Sequence, residues 1–399
     1  MHALTKLRHL TAISAITYAM FLAASAMTSS AYGQQSAIHI EVLETKTISY
    51  QPEVYSGWPT LVRRQNGELW LASSGGREGH VCPFGQLVVQ TSRDQGATWT
   101  WPRVIADSAI DDRDAGILET AAGTLIATTF TSLAYEPLLT RAEQSGTWPA
   151  ERLAAWQAAN NRLTPEERKA ELGEWSYRST DGGKSWSNRI PTLVNSPHGP
   201  IQLRDGRLLY AGKRLWTPDG KIGVAESADD GVSWKWLADI PLRPGDEMKK
   251  DYHELHAVEA DNGTLIVQIR MEGKANENET LQTESTDGGK TWTIPHSIDV
   301  WGLPSHLLKL HNGNLLMTYG YRRQPFGNQA RLSSDHGVTW SEPVTISGDG
   351  AGGDLGYPST VELPDHSLLT VWYELPKGGS RSVLRQAHWR FTTAETPNR

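Results

Sequence analysis

The sequence predicts an all-β chain folded as a six-bladed β-propeller with a helical insertion in blade two. Three observations carry that expectation. An octet, Ser-x-Asp-x-Gly-x-x-Trp, occurs five times. A second repeat, two apolar runs around a tight turn, occurs six times. The second repeat recurs mostly at 50 to 57 residues, a period that suits a four-stranded blade.

The octets are Ser92-Asp94-Gly96-Trp99, Ser179-Asp181-Gly183-Trp186, Ser227-Asp229-Gly231-Trp234, Ser285-Asp287-Gly289-Trp292 and Ser333-Asp335-Gly337-Trp340. Each reads as a structural turn. An Asp side chain accepts from nearby backbone N–H groups in place of lost ladder bonds. Gly supplies a backbone angle other residues avoid. Trp covers the hairpin with a large apolar face and one indole N–H.

The second repeat gives hairpins at Leu61 to Leu71 around Asn66-Gly67, Ile117 to Thr128 around Ala122-Gly123, and Ile201 to Tyr210 around Asp205-Gly206. It continues at Ala257 to Ile269 around Asn262-Gly263, Leu307 to Tyr319 around Asn312-Gly313, and Val361 to Trp372 around Asp365-His366. Only the last turn has His where the others have Gly. The extra length between the second and third units lies at 135–175. There Glu151 to Asn160 is Ala-rich and helical, and Thr164-Pro165-Glu166-Glu167 opens a further helix with a capping Thr and an N1 Pro. The insertion is either a lid or a surface decoration. The sixth unit lacks an octet. Ile38 to Thr47 alternates like a strand and is expected to close the ring on the last blade near Arg385 to Phe391, since an open ring would leave bare sheet edges.

The chain has 399 residues and a net charge of −7, so no broad basic field favours nucleic acid or acidic membranes. Lys6 and Arg8, an apolar run from Leu10 to Ala26 and the small residues of Ala31-Tyr32-Gly33 read as a secretory signal cleaved after Gly33. This makes 1–33 a signal peptide and 34–399 the propeller, secreted or periplasmic. The lone Cys82 excludes an internal disulfide and reads as a small buried residue.

Five such octets, known as Asp boxes, on a six-bladed pattern resemble the sialidase (neuraminidase) superfamily over roughly residues 40–390. The resemblance implies a Tyr nucleophile, a Glu that takes its proton, three Arg that grip a substrate carboxylate and an Asp acid. A phenol is a poor nucleophile near neutral pH unless a carboxylate takes its proton, and Arg offers paired donors matching a carboxylate. Gly356-Tyr357-Pro358-Ser359-Thr360 matches the family's last motif and makes Tyr357 the nucleophile. His253-Glu254-Leu255-His256, followed by Gln268-Ile269-Arg270, makes Glu254 the base and Arg270 a clamp. In Gly320-Tyr321-Arg322-Arg323, Arg322 is favoured over Arg323 as a further clamp.

Two family pieces are absent. Ser56-Gly57-Trp58-Pro59 has no Arg where the family has one, and no Asp follows Gly76-Arg77 in Glu78-Gly79-His80-Val81-Cys82-Pro83-Phe84-Gly85. Arg77 or Arg113 can replace the missing cation. Asp112, Glu78 or His80 can replace the acid, the run Asp111-Asp112-Arg113-Asp114 being dense in charge. His253 is a substrate-contacting candidate. Trp58 and Trp301 either stack on a sugar or fill the channel. His253 and His256, three apart on a strand, face opposite ways, so no metal site and no cofactor are expected.

The expected activity is removal of a terminal acidic sugar from a glycan. The alternatives are a propeller glycosidase acting on another sugar, a uronate or deoxysugar, with a carboxylate acid/base pair, and a non-catalytic glycan-binding propeller.

Overall fold

The structure is a computed structural model that describes residues 38–48, 51, 53–273 and 279–392; the expected signal peptide lies outside them. Strands alternate their side chains between two faces, so a sheet apolar on both faces must be covered on both. The chain solves this with six four-stranded antiparallel sheets, each shielded by its neighbours.

Strand β1 (His39–Thr47) comes first. Blade one is β2 (Tyr55–Arg63), β3 (Leu69–Arg77), β4 (Gln86–Ser92) and β5 (Arg103–Ala106). Blade two is β6 (Asp111–Glu119), β7 (Leu125–Ser132), β8 (Glu174–Ser179) and β9 (Ile190–Pro191). Blade three is β10 (Ile201–Gln202), β11 (Leu208–Lys213), β12 (Ile222–Ser227) and β13 (Lys235–Asp239). Blade four is β14 (Tyr252–Glu259), β15 (Leu265–Met271), β16 (Glu279–Ser285) and β17 (His296–Trp301). Blade five is β18 (Ser305–Lys309), β19 (Leu315–Tyr321), β20 (Gly327–Ser333) and β21 (Val344–Ser347). Blade six is β22 (Leu355–Glu362), β23 (Leu368–Glu374), β24 (Val383–Thr392) and, as its outer strand, β1. The expected closure is therefore present, with His39 opposite Thr392 and Thr47 opposite Arg385.

An apolar cluster fills each seam. Blades six and one share Leu369, Val371, Leu61 and Leu71; blades one and two share Ala72, Val89, Ile117 and Ala127. Corresponding clusters lie between blades two and three, three and four, four and five, and five and six.

The octets form the turns joining the third and fourth strands of blades one to five. In the first, Gly96 N–H donates to Ser92 Oγ at 2.9 Å, and Thr98 donates to both Asp94 carboxylate oxygens, from N–H at 2.9 Å and from Oγ1 at 2.6 Å. The same pattern recurs with Ser185, Ser233, Thr291 and Thr339 in place of Thr98. The full motif thus includes a hydroxyl residue just before the Trp. Gly183 shows why Gly is required: its φ is +80°, and a Cβ would lie 2.0 Å from Trp70 of blade one.

The insertion leaves blade two between β7 and β8 as three helices, α1 (Glu136–Ser145), α2 (Ala150–Asn160) and α3 (Pro165–Ala170). Thr164 caps α3 reciprocally with Glu167. Helix α1 has no side-chain cap at Tyr135; its local start signals are Glu136 and Pro137 in its first turn. The insertion packs through Tyr135, Leu139 and Trp156 on Cys82 and Ile110, so Cys82 is a small buried residue, as expected. A short helix, α4 (Met248–Asp251), precedes β14. Among the described residues no helix is long and apolar enough to cross a membrane.

Candidate active site

The site is built on irregularities in the first strands of the blades. Near their starts, β2, β6, β14 and β22 slip register between Gly57 and Thr60, Arg113 and Gly116, Tyr252 and Leu255, and Gly356 and Ser359. A bulge breaks the two-residue alternation and re-aims a side chain. Trp58, Asp114 and Tyr357, one in each of three bulges, have φ of 51°, 55° and 54°. Asp tolerates this region; for Trp and Tyr it costs of order 1–3 kcal/mol, which the surrounding packing must offset. Trp58 and Tyr357 are both buried, with ring centroids 6.4 Å apart.

Tyr357, Glu254 and Arg270 meet directly. The Tyr357 hydroxyl donates to Glu254 Oε1. One Arg270 nitrogen donates to Glu254 Oε2 at 2.6 Å and to Tyr357 Oη at 3.0 Å. The other guanidinium end pairs with Glu272. Arg322 lies 5.8 Å over the Tyr357 ring and donates to the Leu355 carbonyl at 3.0 Å. Arg323 turns instead to half-exposed Trp301, 5.6 Å from its ring. Four expected residues from three blades are therefore brought together.

The charges set the protonation states. Burial alone would raise the Glu254 carboxyl, but Arg270, the Tyr357 hydroxyl and Arg322 outweigh it and hold it below the usual carboxylate range. Burial and the Glu254 charge push the Tyr357 phenol well above its ordinary value. Glu254 is thus an anion already bonded to the proton of a neutral phenol.

Asp114 is one of the residues beside the site that sequence reasoning did not single out. It is buried, accepts from Asn195 Nδ2 at 3.1 Å, and is pushed up to about 7 by burial and then by the Glu254 charge. The available signal was an Asp, tolerant of positive φ, before the small residues Ala115 and Gly116. Asp112 is held elsewhere: its carboxylate accepts from Ser108 N–H at 2.6 Å, and burial raises it to about 7.

The remaining candidates divide. Arg77 is fully buried, bonded to both Asp111 oxygens at 2.7 and 3.0 Å and to the carbonyls of Asp112 and His80. It is a structural pin. Arg113 is partly open and lies 4.8 Å over the Trp58 ring. Glu78 faces the insertion, paired with Arg152 and accepting from Trp156 Nε1 at 2.6 Å. His80 reaches the site, 5.0 Å from Trp58, its Nδ1 lying 2.9 Å from Tyr55 Oη and 3.2 Å from Asp354 Oδ1. Tyr373 also donates to Asp354, at 2.9 Å. Burial would raise Asp354, but these partners, His80 first, hold it below its ordinary range. His253 sits beside Glu272 at 3.3 Å, whereas His256 is buried against His198 and His306. Trp58, 1% exposed, fills the channel.

Tyr357, Glu254 and Arg270 thus meet at one end of the blades of a closed six-bladed ring. The BNR repeat-like domain family matches residues 134–370, more than half of the chain, and the protein belongs to this family within the sialidase superfamily of propellers. A xyloglucanase of Acetivibrio thermocellus is 28% identical over 176 residues, covering 39% of this chain and 20% of that protein. A sialidase of Clostridium perfringens is 25% identical over 213 residues, covering 44% of this chain and 56% of that one. The chain thus spans about a fifth and just over half of these relatives' lengths. A crystal structure of a Dyadobacter fermentans protein of unknown function superposes with a TM-score of 0.71 at 22% identity, covering 88% of this chain and 99% of that one; this shows the shared fold. The curated relatives are glycoside hydrolases.

Proposed function

We propose that the protein is a retaining exo-glycosidase that removes a terminal acidic sugar from a glycan. The observation that carries this reading is the hydrogen-bonded set Tyr357–Glu254–Arg270. Tyr357 Oη attacks the anomeric carbon while its proton passes to Glu254, and the bond to the leaving oxygen breaks as His80 protonates it. Water then releases the sugar, with His80 taking the water's proton and Tyr357 recovering its own from Glu254. A neutral phenol suits a carbon already bearing a carboxylate, because it brings no second negative charge. Arg270, Arg322 and Arg113 are the cations available to grip that carboxylate. Arg113 beside Trp58 compensates for the missing first Arg; the fully committed Arg77 does not.

The test is release of sugar from sialylated and uronylated glycans, with trapping by a fluorinated glycosyl donor that slows the second step. Tyr357→Phe should lower kcat/KM at least a thousandfold, and mass spectrometry should find the trapped sugar on Tyr357. Near wild-type turnover by Tyr357→Phe would sink this reading.

One observation favours a second reading. The Glu254 carboxyl is held down while Asp114 is pushed to about 7, and carboxyls driven apart in this way divide into base and acid. Glu254 and Asp114 would then act as the pair, on a different sugar. That reading expects Tyr357→Phe to stay active and Asp114→Asn to be dead. A secreted or periplasmic location suits either substrate, and the basic-then-apolar run from Lys6 to Ala26 supports it.

A further inference from the structure

The hairpin turns joining first to second strands provide an internal control. Five carry Gly at positive φ: Gly67, Gly123, Gly206, Gly263 and Gly313, at 80–90°. In blade six the position is His366, with φ of 66°. A non-Gly residue held there costs of order 1 kcal/mol or more, and such strain persists only where something over-determines it.

The carboxylates ending the first strands provide a second control. Glu119 of blade two accepts from Gln65 N–H at 2.6 Å and Arg64 at 2.8 Å; Glu259 of blade four accepts from Arg204 N–H at 2.8 Å. Glu362 of blade six makes the same inter-blade bond, its Oε2 accepting from His311 N–H at 2.8 Å. Its other oxygen differs: Oε1 is met by Nδ1 of both His311 and His366, the latter at 3.2 Å. The imidazoles stack with centroids 3.6 Å apart. In the Nε2–H tautomers, two imidazole lone pairs and a carboxylate oxygen converge on one point.

We propose that His311, Glu362 and His366 bind one divalent transition-metal ion of the zinc class, clamping blades five and six. The donor atoms all lie within 4.8 Å of one another. A tetrahedral zinc with ligands about 2.0–2.1 Å away has donor–donor edges of about 3.3 Å, close to the 3.2 Å between His366 Nδ1 and Glu362 Oε1. Two imidazoles and one carboxylate suit zinc, copper or nickel rather than magnesium or calcium. Both rings are half-exposed and line a cleft of about 320 Å³ with Leu43, Asp365, Arg390 and Phe391, which gives an ion access and leaves room for a completing water. Arg390 does not compete for the carboxylate, being paired with Glu41 at 2.6 Å. Glu362 ends β22 and Tyr357 lies near its start, about 16 Å away at the rise of a strand. The clamp is therefore remote from the proposed chemistry and independent of it.

The test uses the full chain without a polyhistidine tag. Equilibrium dialysis with Zn²⁺ should find a site of one ion per chain, and saturating Zn²⁺ should raise Tm by roughly 3–5 °C. His366→Gly restores the residue the other five turns use, so it should fold at least as stably without metal. It should lose tenfold or more in affinity, and the Tm rise with it. Glu362→Gln keeps an acceptor for His311 N–H yet should also lose the Tm rise. No zinc uptake by the wild-type chain, or unchanged uptake and Tm response in His366→Gly, would overturn the proposal.

Discussion

Asp112 and Asp114 are two residues apart, and strict alternation would put both on one face. The bulge between Arg113 and Gly116 breaks that count. Asp114 joins Glu254 electrostatically, while Asp112 is capped by Ser108. The charged run is visible in the sequence, but a bulge has no letter of its own, so the sequence does not say which Asp of the run lies beside Glu254. Tyr357, Glu254, Arg270 and Arg322 were legible because each lies in a short string shared with the family. Asp354 and its phenol partners were not: Tyr373 lies across the same blade from Asp354, but only ring closure brings Tyr55 to them. The Asp112 carboxyl, raised to about 7 when folded, binds its proton more tightly than an ordinary unfolded carboxyl near 3.9. Its contribution to stability is fully present below pH 4 and lost as pH rises through 7. Asp112→Asn does not titrate, so its advantage over wild type should grow by roughly 2–3 kcal/mol between pH 5 and pH 8. Denaturant unfolding at the two pH values measures this, and a pH-independent difference would contradict it.

At the scale of elements, the octets and hairpin turns were legible because they solve a local problem with fixed letters. Each octet Asp answers N–H and hydroxyl donors within four residues. Those bonds, from Thr98 above all, hold the Asp94 carboxyl down at about 2. A depressed carboxyl contributes stability that is present above about pH 4 and lost as pH falls through 2. The octets lie at the strand ends away from Tyr357, so their effect is on stability alone. Asp287→Ala should therefore lower the denaturant midpoint at pH 7 while leaving kcat within twofold, because it removes the acceptor for Thr291 and Ser285. A large drop in kcat at full folding would place the octet in the chemistry. The insertion was legible only in part, through the Thr164 cap and the Ala-rich α2. Its role rests on tertiary contacts: Arg152 and Trp156 hold Glu78, two residues before His80. Those contacts tie the insertion to the loop that carries His80.

For the whole molecule the decisive contact is between the two ends of the ring. Blade six takes its outer strand from β1, and blades six and one share a core that includes Ile48, Tyr55, Tyr357 and Tyr373. Counting six hairpins against five octets predicted this closure, because the blade without an octet needs a strand from elsewhere. Strand β1 itself is mostly exposed, so its contribution lies in the backbone bonds to β24 and in covering that edge. Removing residues through Thr47 while keeping Ile48 leaves β24 with a row of unpaired N–H and C=O groups, and such an edge recruits other strands. The truncated chain should show a lower Tm and concentration-dependent self-association by light scattering. Its monomeric fraction should still turn over substrate, since Tyr357 and Glu254 sit on the innermost strands. A monomeric truncated chain with unchanged Tm would mean that the apolar seam between blades six and one holds the ring closed without the outer strand.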